Sequence, residues 1–127
     1  MSLTLEFQGN VAVLKHDDGK RNVFSPDAIR DFNEALDEVE AKSASLLWAG
    51  REGCFSAGFD LKVVTGGDAD AAAAMVKAGG ELAFRIFTFP HPVVCAVTGH
   101  CLALGSVMLV CADKRIGMAG DFKYGLN

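Results

Sequence analysis

Two stretches of the chain share one design: an apolar strand, a run of small residues, then the start of a helix. The first is Leu46-Leu47-Trp48-Ala49 followed by Cys54-Phe55-Ser56-Ala57-Gly58-Phe59-Asp60-Leu61. The second is Val93-Val94-Cys95-Ala96-Val97 followed by Gly99-His100-Cys101-Leu102-Ala103-Leu104-Gly105. Small residues let a backbone come close to a ligand. A helix start leaves amide N–H groups without intrahelical partners, at the positive end of the helix dipole. Two such ends aimed at one oxygen would form an oxyanion hole, which stabilises negative charge as it develops on a carbonyl. The spacing alone suits a pair of ordinary strand-to-helix turns equally well, because small-residue turns are common in α/β proteins.

Other chemical templates fit less well. The chain has no G-x-S-x-G elbow, no P-loop and no G-x-G-x-x-G fingerprint. Ser56 and Ser106 have no recognisable base partner, and His16, His91 and His100 occur singly. His91 lies between prolines and His100 lies in the second small-residue run, positions that favour a surface or structural role. Cys54, Cys95, Cys101 and Cys111 form no C-x-x-C pair, and three of them lie in apolar runs, so they read as buried reduced thiols. Zinc bound by His100 and Cys101 is disfavoured, since adjacent residues rarely converge on one metal and no second ligand pair is suitably spaced. No metal site is expected.

The elements that must carry these stretches can be read from periodicity. Leu3, Leu5 and Phe7 alternate with polar residues, Gly9-Asn10 offers a turn, and Val11 to Leu14 resumes the apolar pattern, which predicts a β-hairpin. A polar loop, Asp17 to Asn22, precedes a helix opened by Ser25 as N-cap and Pro26 in its first turn. Ile29, Phe32, Leu36 and Val39 mark the buried face of that helix. Ser45 to Ala49, Val93 to Val97 and Lys114 to Met118 are predicted strands, and Ala103 to Cys111 an apolar helix. Asp68 to Phe89 should be mostly helical, with Gly79-Gly80 weakening or kinking it and Pro90 and Pro92 ending it. The glycines and alanines of Val63 to Gly80 suggest a mobile, ligand-dependent segment. Buried strands alternating with helices define an α/β domain with largely parallel pairing, spanning residues 1–127.

Composition narrows the class. Half of the 127 residues are apolar and 22% are charged, as expected for a globular chain. The net charge is −4 with basic residues scattered, which argues against a nucleic-acid surface while leaving room for a phosphate-bearing ligand held by one or two local cations. No membrane span or secretory pattern stands out, so a cytoplasmic protein is the expectation.

Four segments, in order, resemble the enoyl-CoA hydratase/isomerase (crotonase) family. Lys20-Arg21-Asn22-Val23-Phe24-Ser25 is similar to that family's K-x-N-A-L-S segment, and Phe55 to Lys62 to its F-x-A-G-x-D-L-K motif. Pro92 to Gly99 is similar to its P-V-I-A-A-V-N-G strand and turn, and Cys111 to Ile116 to its C-D-x-R-I segment. The resemblance implies a crotonase-like spiral of β-β-α units, without the C-terminal helical part, that binds acyl-CoA thioesters. By motif position it places the two oxyanion amides on Phe59 and Leu104. Coenzyme A would be held by Lys20, Arg21, Ala57, Asp60 and Leu61, the cations facing phosphate and the loop backbone facing adenine. It further implies trimers or paired trimers, and no cofactor other than the coenzyme A of the substrate.

Two departures from the family pattern bear on catalysis. Leu104 stands where the family has a glycine-rich turn, so its side chain is expected to restrict φ and narrow the acyl pocket. Val107 stands where hydratases place one catalytic glutamate, and valine transfers no proton. Tyr124-Gly125-Leu126-Asn127 resembles the G-L-N-E segment bearing the single base of Δ3,Δ2-enoyl-CoA isomerases, with Asn127 one residue short of that glutamate. The resemblance therefore favours an isomerase over a hydratase, with a non-catalytic acyl-CoA binder as the alternative of a different class.

Overall fold

The N-terminal hairpin forms where the alternation predicts it, and it seeds the larger of two sheets. A computed structural model describes residues 2–126. Strands β1 (Leu3–Gln8) and β2 (Val11–His16) pair antiparallel across Gly9-Asn10. Then β4 (Ser45–Ala49), β7 (Val93–Val97) and β9 (Lys114–Gly117) join in parallel, giving the order β1-β2-β4-β7-β9. The short β3 (Val23–Phe24) leads into helix α1 (Pro26–Ala41). The Ser25 hydroxyl accepts from the Ala28 N–H at 3.1 Å and Pro26 opens the helix, satisfying one orphan donor where proline costs nothing.

The face of α1 bearing Ile29, Phe32, Leu36 and Val39 lies on this sheet. Its aromatic centre is fully buried: Trp48 meets Phe32 edge-on at 4.9 Å between ring centroids and Phe55 at 4.8 Å, with Phe24 against both Phe32 and Trp48. Burying one such side chain contributes roughly 1.5–3 kcal/mol, so this cluster is the chief anchor of the sheet–helix contact.

The two small-residue runs are not plain turns. Each contains a further strand: β5 (Gly53–Ser56) and β6 (Gly58–Phe59) in the first, β8 (Gly99–Leu102) in the second. β5 and β8 pair in parallel with β10 (Tyr124–Gly125) in a second sheet, and β3 pairs with β6 in a third. These strands are only two to four residues long, too short for apolar alternation to register in sequence. The β-β-α repeat implied by the family resemblance is present, since each parallel strand of the large sheet continues into a short strand of the smaller ones.

A four-residue helix α2 (Leu61–Val64) precedes α3 (Ala69–Phe87), and α4 (Leu104–Cys111) follows β8. The weakening or kink expected at Gly79-Gly80 does not interrupt α3, which runs unbroken through both residues. Gly79 is buried there and serves close packing rather than bending. Of the glycines and alanines of residues 63–80, Gly66 and Gly67 lie between α2 and α3 and the others lie within α3.

Candidate active site

The loop between β2 and β3 carries Lys20 and Arg21, and a polar lattice fixes its path. The Asp18 carboxylate accepts from the N–H groups of Lys20 (2.7 Å), Asn22 (2.9 Å) and Val23 (3.1 Å). Burial works against the charge on Asp18, yet the N–H groups of Asn22, Lys20 and Val23 hold its carboxyl below the usual range. Asn22 returns the bond, accepting from the Asp18 N–H through Oδ1 at 2.9 Å. Its amide nitrogen donates to the carbonyls of His16 (2.6 Å), Cys54 (3.2 Å) and Phe55 (3.2 Å), stitching the cation loop to β5. Asn22 is fully buried with φ of 53°, a left-handed conformation that asparagine tolerates better than most residues.

The first small-residue run is tied to the same loop. The buried Ser56 hydroxyl donates to the Asn22 carbonyl at 2.8 Å and accepts from the Gly58 N–H at 3.1 Å, so it is a brace rather than a nucleophile. The Ala57 N–H donates to the Arg21 carbonyl at 2.9 Å and the Asp60 N–H to the Phe24 carbonyl at 3.3 Å. Asp60 then caps α2 by accepting from the Lys62 N–H at 3.0 Å.

Phe59 thus sits in a strand, two residues before a helix of a single turn. The helix-dipole argument made for both runs holds only for the second. There Leu104 is the first residue of the eight-residue α4, which has no side-chain N-cap. The backbone takes a positive φ one residue before Leu104, on Ala103 (φ 53°, ψ −125°). The two runs meet at this point: a Cβ on Gly58 would lie 2.7 Å from the Ala103 Cβ and 3.2 Å from the Leu104 nitrogen. Only glycine fits there.

Lys20, Arg21, Ala57, Asp60 and Leu61 line one cavity of about 620 Å³, together with Phe59, Lys62 and Leu102. None of the cations Lys20, Arg21 and Lys62 is engaged in an ion pair among the described residues. Leu104 does not line this cavity, because its side chain is buried under α3. Val107 packs partly buried on the core in the next turn of α4. The Ala103 N–H donates to the Gly125 carbonyl at 2.8 Å, which holds Tyr124-Gly125-Leu126 beside the start of α4; Asn127 lies outside the described residues.

Several contributors escaped the sequence reading. Asp18 was visible only as a loop residue, Ser56 only as a serine without a base partner and Asn22 only as part of a motif; the signal available was an Asp and an Asn four residues apart flanking two cations. His100 has the structural role expected of it, its Nδ1 accepting from the Lys123 N–H at 2.9 Å. The cysteines are free, and burial pushes the Cys95 and Cys101 thiols up to about 12, as inert core thiols require. No helix among the described residues is long and apolar enough to cross a membrane.

A spiral of β-β-α units whose two small-residue runs meet at Gly58 and Ala103, near a cation-flanked cavity, defines a crotonase-type fold. The chain belongs to the enoyl-CoA hydratase/isomerase family, whose model matches residues 6–127. It is 30% identical over 129 residues to a protein named a probable enoyl-CoA hydratase in Bacillus subtilis, covering 98% of this chain and 49% of that one. It is 32% identical to the mitochondrial enoyl-CoA delta isomerase 1 of Rattus norvegicus, covering 96% of this chain and 44% of that one. A crystal structure of an enoyl-CoA hydratase/isomerase family protein from Pseudomonas syringae superposes with a TM-score of 0.96 at 42% identity, covering 99% of this chain and 54% of that one. The chain therefore spans about half the length of these relatives.

Proposed function

We propose that the chain holds an acyl-CoA thioester with its carbonyl oxygen between the N–H groups of Phe59 and Leu104. The observation that carries this reading is the contact of Gly58 with Ala103 and the Leu104 nitrogen, which brings the two donor-bearing segments together. Lys20 and Arg21 face the coenzyme A phosphates, and the backbone around Ala57, Asp60 and Leu61 faces adenine. Three cations without ion-pair partners at one cavity suit a ligand rich in phosphate. Polarising the carbonyl acidifies the α-carbon, and each oxyanion donor typically contributes about 3–4 kcal/mol in the transition state.

The reaction we favour is a double-bond shift. A carboxylate takes a proton from the α-carbon, the enolate is held by the two amides, and the proton returns at the γ-carbon, moving the β,γ double bond to the α,β position. The base comes from beyond the described residues, close to the Tyr124-Gly125-Leu126 segment. Hydration is disfavoured by Val107, which supplies no proton at the position where hydratases carry a glutamate. In this reading the whole protein acts in the cytoplasm as a trimer or paired trimers, and coenzyme A enters only as part of the substrate.

The test is incubation of the full-length protein with 3-hexenoyl-CoA while following formation of the conjugated 2-enoyl product. No conversion at high protein concentration sinks the isomerase reading. Hydration of crotonyl-CoA at an ordinary enzymatic rate would instead overturn the role given to Val107. A second reading, an acyl-CoA binder without turnover, is favoured by the same Val107; it predicts tight acyl-CoA binding with neither reaction.

A further inference from the structure

Helix α3 lies directly against the side chains of both donor residues. A Cβ placed on Gly79 would fall 2.5 Å from Phe59 Cε1, 2.7 Å from Phe59 Cζ and 3.0 Å from Leu104 Cδ2. Real Cβ contacts are never so short, so ring and leucine touch the helix backbone where only glycine leaves room. Met75, Leu82, Ala83 and Ile86 bury the same side of α3 in the core, so the helix cannot readily back away. Phe59 also lines the cavity, whereas the Leu104 side chain is buried. Phe59 therefore lies between the cavity and a helix that leaves its ring no room to retract.

We propose that the Phe59 ring, seated on Gly79 and Leu104, is a wall of the acyl compartment that restricts the protein to short acyl groups, with Gly79 as the positioning residue that sets how far the wall retracts. This rests on the acyl-CoA reading above. A thioester carbonyl held by the Phe59 and Leu104 amides finds the space toward α3 filled by the side chains of those two residues. A long acyl chain would have to displace the ring into α3, against close-packed contacts on all sides. A short chain ends before it reaches the ring.

The experiment is calorimetric titration of the full-length protein with free CoA, butyryl-CoA and decanoyl-CoA. The natural protein should bind butyryl-CoA at least about tenfold more tightly than decanoyl-CoA, and Phe59→Ala should shift that ratio toward decanoyl-CoA by about tenfold. Gly79→Ala should push the ring into the cavity and weaken butyryl-CoA itself, and adding Phe59→Ala to that variant should restore binding. Phe59→Leu, which keeps an apolar side chain, should shift the ratio in the same direction if Phe59→Ala does not fold. An unchanged ratio in the Phe59 variants, or equal binding of both thioesters by the natural protein, overturns the wall and leaves the acyl-CoA reading standing. Failure to bind any acyl-CoA overturns both.

Discussion

The two segments proposed to present the oxyanion amides start from similar residue patterns and position those amides by different physics. The Phe59 amide belongs to a two-residue strand, follows Gly58 at φ +98°, and is braced by the Ser56 hydroxyl and the Asn22 lattice. The Leu104 amide opens an uncapped apolar helix, follows Ala103 at φ +53°, and is braced by packing under α3. One side is a polar network that also positions two cations; the other is an apolar plug with a helix dipole behind it. Similar residue patterns did not mean equal electrostatics. The dipole acts at Leu104, and the hydrogen-bonded framework acts at Phe59.

The strongest way to break this comparison is Gly58→Ala. The new methyl would combine an unfavourable φ with a 2.7 Å clash against the Ala103 Cβ, on the polar side where the backbone is least free to shift. Unfavourable φ and overpacking each cost roughly 1–3 kcal/mol, so a loss of about 3 kcal/mol is expected. Urea unfolding checks the number, and acyl-CoA titration checks that the two donors have moved apart. A variant as stable as the natural protein, with unaltered binding, would mean that the segments do not depend on this contact.

The same contrast explains what could be read in advance. The hairpin, α1 with its Ser25 cap, and strands β4 and β7 were legible because their apolar residues repeat over five or more positions or carry a cap signature. Strands β3, β5, β6, β8 and β10 were not, since pairs such as Gly58–Phe59 are strands only because distant partners meet them. The cation pair Lys20-Arg21 and the loop Ala57 to Leu61 were found through motif resemblance, and they line one cavity. Gly79 was read as a helix breaker because sequence shows its missing side chain without the ring that occupies the space.

Acid should separate the two sides next. His16 is fully buried against Phe24 and Phe32, with neither ring nitrogen partnered among the described residues, and its carbonyl anchors Asn22. Burial lowers its pKa, while Asp18 and Asp17 offset part of that. The unfolded chain therefore takes up a proton near pH 6.5 that the folded chain resists, and stability falls as pH drops below that value toward the folded pKa. The slope cannot exceed about 1.4 kcal/mol per pH unit for one proton. Asp18, held low by its backbone donors, adds a further loss only below about pH 4, because its stabilisation is present above its unfolded pKa and vanishes beneath it. Urea midpoints between pH 7.5 and 5 should fall in the natural protein and flatten in His16→Phe. Amide exchange should quicken first at residues 18–23 on the polar side, and equal quickening at residues 103–108 would argue against two separate braces.

The smallest expected effect is a gain. Ala103 holds a backbone conformation that favours glycine, and strain of this kind costs on the order of 1–3 kcal/mol. Ala103→Gly relieves it but raises the entropy of the unfolded chain and removes a methyl that touches Gly58, so the net gain should be near 1 kcal/mol. That corresponds to roughly 3–6 °C in Tm for a domain of this size, readable by calorimetry. The sign is the informative part. If Tm falls, the methyl is a packing element in its own right, and the Leu104 side is held by contact with Gly58 as firmly as the Phe59 side is held by hydrogen bonds. If Tm rises, the apolar side carries strain that the polar side avoids, because glycine already occupies position 58 and alanine occupies position 103.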